Sequence, residues 1–163
     1  MKSLLIAFVS IFILPALPLS SAAQKGSEEI YNDIRKLGVL ANVLYVAAHP
    51  DDENTRLISY LSNHLHVNTT YLSMTRGDGG QNLIGPEIRE MLGLIRTNEL
   101  LEARGIDGGH QLFTRANDFG YSKTPAETFT IWDRADVLSY VVLAIRKVQP
   151  DIIINRFSTD TSR

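Results

Sequence analysis

Residues 42–48, NVLYVAA, are an apolar run rich in β-branched and aromatic side chains. After Asn42 no polar residue alternates within it. Neither face of a strand built from it would be solvated, which is the condition of a strand inside a parallel sheet. Directly behind it, HPDDE crowds His49, Asp51, Asp52 and Glu53 into five positions. Charge of that density is costly to bury. The chain must therefore leave the sheet at His49, which puts the cluster at the carboxyl end of what should be the central strand. Ligands of open α/β sheets bind outside the carboxyl ends of strands.

Helix and strand patterns alternate along the chain on both sides of that run. SEEIYNDIRKLGVL has Ile30, Ile34 and Leu37 at helical spacing. ENTRLISYLSNHL predicts a helix with Leu57, Ile58 and Leu61 on one face. Glu53 and Asn54 open it, an acid that suits the helix dipole and a residue that can cap. HVNTTYLSMT predicts a second strand and RGDGGQN a glycine-rich loop. GPEIREMLGLIRTNELLEARGI is the longest helical pattern, with Pro86 in its first turn and Ile88, Met91, Leu92, Ile95, Glu99 and Leu100 on its period. HQLFTR predicts a short strand, residues 133–148 a helix ended by Pro150, and DIIINRF a final strand. This alternation predicts an α/β fold with a Rossmann-like, doubly wound, mostly parallel sheet. The chain stops just after the last strand, which reads as a domain truncated at its C-terminus.

A length of 163 residues suits one domain. A net charge of −2 gives no electrostatic case for a nucleic-acid or anionic-lipid partner. The absence of cysteine excludes disulfides, thiolate metal sites and a cysteine nucleophile. At the N-terminus, Lys2 precedes an apolar run over residues 4–14, then Pro15, Pro18 and the small residues Ser21 and Ala23. That layout predicts a signal peptide over residues 1–23, cleaved after Ala23. Its apolar run is shorter than the roughly 20 residues a spanning helix needs. The expectation is a secreted or periplasmic domain over residues 24–163 with no stable membrane span after cleavage.

His49 and Asp52 have H-x-x-D spacing across a tight turn, and imidazole nitrogen and carboxylate oxygen are ordinary zinc ligands. If they share an ion, their nearest N to O distance should be about 3–4.5 Å, given ligand bonds of about 2 Å. Asp51, between them, cannot easily join on the same side and could serve as general base. The residues alone leave a second reading open, in which Asp-Asp-Glu at a helix start is capping chemistry and His49 a loop residue.

AHPDDE behind a hydrophobic strand resembles the signature of the LmbE-like, or PIG-L, family of zinc-dependent deacetylases, which act on N-acetylglucosamine-type groups. TRGDGGQN at residues 75–82 resembles that family's glycine-rich site loop, RTNEL at 96–100 its R-x-x-E-L helix motif, and FTRANDFG at 113–120 its aspartate-bearing loop. The four stand in the family's order. The resemblance implies that His49 and Asp52 bind Zn2+, that Asp51 is the general base, and that Arg96 and Asp118 hold sugar hydroxyls. It also implies a third ligand, a histidine following the strand that DIIINRF resembles, and a further histidine stabilising the oxyanion. The chain ends at Arg163 before such a segment. His64 and His66 close a helix far from the loop face, and His110 precedes a strand at the wrong sheet end.

The function so implied is zinc-dependent hydrolysis of an N-acyl group, most simply acetyl, from an amino sugar in a small molecule, glycan or glycoconjugate. The alternatives are a noncatalytic carbohydrate-binding module on the same fold that keeps Arg96 and Asp118, or an inactive fragment lacking the third zinc ligand. A nucleotide-binding Rossmann module is disfavoured, because acids stand where the pyrophosphate turn wants glycines.

Overall fold

A computed structural model describes residues 26–158; the expected signal peptide lies outside them. In chain order the elements are α1 (Ser27–Lys36), β1 (Asn42–Ala47), α2 (Thr55–Ser59), β2 (Asn68–Ser73), α3 (Glu90–Asp107), β3 (His110–Phe113), α4 (Pro125–Ile131), α5 (Arg134–Val148) and β4 (Ile152–Asn155). The strands form one four-stranded sheet in the order β3-β2-β1-β4. Every pairing is parallel.

That order explains the composition of β1. It is interior, paired with β2 from Asn42↔Asn68 to Ala47↔Ser73 and with β4 from Val43↔Ile152 to Val46↔Asn155. Its two faces enter two different core layers. Tyr45 and Ala47 pack with Tyr71, Ile58 and Leu100, beneath α2 and α3. Leu44 packs with Leu72, Met74 and Ala144, beneath α5. Leu44, Ile58 and Tyr71 have no solvent exposure, and each such side chain contributes about 1.5–3 kcal/mol by leaving water. The winding runs from β1 outward through β2 to β3, then returns to place β4 on the other side of β1. The carboxyl end of β1 is therefore the point at which strand order reverses, where open α/β sheets bind their ligands.

Three elements depart from the sequence reading. The longest helix begins at Glu90 rather than around Pro86. Arg89 has φ 54°, outside any right-handed helix, and Asn82 ties the preceding segment into a turn by donating to Glu87 and accepting from the Ile84 N–H. The α2 region continues past Ser59 as a π-helical turn over Tyr60–His64. Helix α4 was not expected, although TPAE carries an N-terminal signature: Pro125 opens the helix and the Thr124 hydroxyl accepts from the Glu127 N–H at 3.2 Å.

Candidate functional site

The turn after β1 is set by short contacts. Asp52 N–H donates to the His49 carbonyl at 3.3 Å, and Asp52 Oδ2 accepts the His49 N–H at 2.9 Å. Asn54 then caps α2 by accepting from Leu57 N–H at 3.1 Å. Tyr71 reaches up from β2 and donates its hydroxyl to the His49 carbonyl at 2.5 Å. Burial pushes the Tyr71 hydroxyl pKa well up, and the negative charge of Glu53 adds to the rise, so the phenol stays a donor.

His49 Nδ1 lies 3.3 Å from Asp52 Oδ2, inside the expected window. Two ligands on one tetrahedral ion with bonds of about 2 Å stand about 3.3 Å apart, so the pair fits a shared zinc as well as a direct hydrogen bond. On the other ring edge, Nε2 is 3.7 Å from Asp118 Oδ1. Among the described residues no three His, Asp or Glu side chains converge as ligands. The imidazole and carboxylate present are of the kinds that zinc takes as ligands.

Asp51 points the other way from its neighbour. Its side chain is 73% exposed and pairs with Arg96 Nη2 at 3.3 Å. Arg96, one turn and a half into α3, also holds Glu99 at 3.2 Å. A cleft of about 420 Å³ connects these groups, lined by His49, Asp51, Gln81, Arg96, Asp118 and Tyr121 among others. Asp52 does not line it but contacts His49, which does.

Asp118 belongs to the loop after β3 and is almost completely buried, with 2% of its side chain exposed. Its Oδ1 accepts from Gly120 N–H at 2.8 Å, and its Oδ2 stands 3.1 Å from the Thr75 hydroxyl. The glycine-rich loop after β2 packs directly on it. A Cβ at Gly79 would come within 2.5–2.6 Å of the Asp118 carbonyl and carboxylate, and Gly77, at φ 78°, lies against Pro50 and Arg96. These glycines bring three loops together without a side chain between them.

Glu53 stands just before the Asn54 cap of α2. Its side chain is 7% exposed and sits 3.5 Å from Arg104 Nη2. Arg104 also grips Asp107 through Nε at 3.0 and 3.1 Å, donates to Gln111 and stacks 5.4 Å over the Tyr71 ring. Burial raises the Glu53 pKa, while its backbone hydrogen bond and Arg104 oppose the rise and Asp51 adds to it. Sequence reasoning missed this network, because the spacing of Arg104 and Asp107 reads as an ordinary exposed ion pair.

A family model described as PIG-L: GlcNAc-PI de-N-acetylase matches residues 44–162. No curated protein matches the chain. Among solved structures, GalB, the 4-carboxy-2-hydroxymuconate hydratase of Pseudomonas putida KT2440, superposes with a TM-score of 0.53 at 20% identity, over 70% of this chain and 46% of that one. A deacetylase solved in complex with teicoplanin, from the teicoplanin biosynthesis pathway, gives a TM-score of 0.48 at 14% identity, over 71% of this chain and 57% of that one. The chain thus spans about half the length of these solved structures.

Proposed function

The chain belongs to the PIG-L family of de-N-acetylases, and from that premise we propose that it serves zinc-dependent hydrolysis of an N-acetyl group on an amino sugar. The observation that carries the reading is the 3.3 Å approach of His49 Nδ1 to Asp52 Oδ2 at the strand-order reversal, with the exposed carboxylate of Asp51 in the adjoining cleft.

His49 and Asp52 would hold the zinc. When bound, the ion supplies Lewis-acid polarisation of the amide carbonyl and of water. Asp51 accepts one proton from the water whose oxygen forms the new bond to the carbonyl carbon. It returns that proton to the nitrogen as the C–N bond breaks, giving acetic acid, which ionises to acetate, and the free amine. Arg96 orients Asp51 through their 3.3 Å pair and offers its remaining donors to sugar hydroxyls. The third ligand, on this reading, comes from the chain after β4. Asn155 pairs with Val46 and Arg156 N–H donates to the Val46 carbonyl, so residues leaving β4 emerge beside the His49 turn.

The test is the full-length protein assayed against a panel of N-acetylated amino sugars, with acetate release measured before and after chelation and after zinc is restored. The expected result is release that chelation abolishes and zinc restores. Sugar binding without release at any zinc concentration supports the noncatalytic carbohydrate-binding module and overturns the hydrolase reading.

A further inference from the structure

We propose that Asp118 is a positioning residue for His49, holding the ring by its Nε2 edge so that the Nδ1 edge faces Asp52 and the cation the two share. The inference rests on the metal reading above. It starts from an electrostatic conflict: the His49 ring lies between two carboxylates, Asp52 at 3.3 Å from Nδ1 and Asp118 at 3.7 Å from Nε2. A neutral imidazole has one N–H and one lone pair. One carboxylate therefore faces a lone pair, which is repulsive unless a cation stands between.

Burial decides which edge carries the proton. The Asp118 side chain is 2% exposed and that of Asp52 20%. A carboxylate shut away from water has the greater need of donors. Asp118 already takes Gly120 N–H, and the Thr75 hydroxyl lies within reach, while the Gly79 backbone closes over it. The Nε2 edge of His49 faces the same carboxylate and can supply a further donor. Its 3.7 Å separation is longer than a formed hydrogen bond, so the contact is electrostatic in this geometry. Asp52 has the His49 N–H and a partly open side, so it can meet a cation. Ligating histidines characteristically donate their second ring nitrogen to a carboxylate that fixes the ring.

The experiment measures zinc affinity of the full-length protein by competition with a chromophoric chelator, for wild type, Asp118→Asn and Thr75→Val, with thermal unfolding followed alongside. Asp118→Asn is expected to bind zinc about 10–100-fold more weakly, the scale of losing such a partner, while keeping a cooperative unfolding transition. Thr75→Val, which frees one oxygen of Asp118, should shift affinity in the same direction by less. A folded Asp118→Asn with wild-type zinc affinity overturns this inference alone, leaving Asp118 as a substrate contact that would move KM only. If Asp118→Asn does not fold, wild-type affinity in Thr75→Val overturns it. A wild-type protein that takes up no zinc overturns the metal reading and this inference with it.

Discussion

Adjacent carboxylates in one turn meet different fates here, and the difference sets their chemistry. Asp52 folds back on the His49 amide, Asp51 stays largely in solvent against Arg96, and Glu53 is drawn under α3 by Arg104. On the proposed mechanism the proton-transferring group is the exposed Asp51 and the metal ligand is the fixed Asp52. Asp51→Asn in the full-length protein should therefore keep zinc uptake and lose about 10²–10⁴-fold in turnover, the contribution of a general base. Metal analysis beside the rate checks it, and loss of zinc in that variant would make Asp51 a ligand.

Between elements, the Glu53–Arg104–Asp107 network ties the turn after β1 to α3 and β3. Two acids share one guanidinium in a region nearly closed to water. Removing the guanidinium leaves both acids buried and unpaired, at a cost of about 3–5 kcal/mol, several times that of a neutral hydrogen bond at about 1 kcal/mol. Arg104→Ala should accordingly lower unfolding stability in urea far more than Arg96→Ala, whose partners are open to solvent; equal losses would show that the buried network is inert. The network also has a pH signature. Burial lifts the Glu53 pKa above its ordinary 4.5, so the folded chain holds that proton more tightly than the unfolded chain. Its stabilisation is present below the unfolded value and is lost as pH rises through the folded one. Glu53→Gln should flatten this decline in urea midpoints measured from pH 4 to pH 7, whereas an unchanged slope would place the pH dependence elsewhere.

At the scale of the molecule, β3 and β4 are the edges of the sheet among the described residues, and they differ in character. The β4 edge exposes Ile152 and Ile153, with Phe157 just beyond, at 56%, 46% and 56%. Unpaired backbone beside exposed apolar side chains is a template for strand addition. The 163-residue chain expressed alone should associate as its concentration rises, and Ile153→Lys should weaken that association. Light scattering across a concentration series checks both, and a wild-type chain that stays monomeric throughout refutes the expectation.

Much of this architecture was legible in residues 42–53. A run too apolar for a one-sided strand had to lie inside the sheet, and a dense charge cluster had to sit at its carboxyl end, because charges within the sheet would go unpaired. The alternation of patterns gave the α/β class on the same grounds. What no local pattern could contain were relations between distant segments. The start of α3 was decided by the turn at residues 82–89 and the left-handed Arg89, which override an unbroken apolar period. The burial of Glu53 was decided by Arg104, 51 positions away in the numbering, since an acid is exposed or buried according to whether packing delivers a partner. The setting of Asp118 was decided by Thr75, Gly79 and His49 from two other loops. Hydrophobic periodicity is a property of neighbours in sequence and survives in the chain alone; the pairing of buried charges exists only once the sheet has brought the carboxyl ends of its strands together.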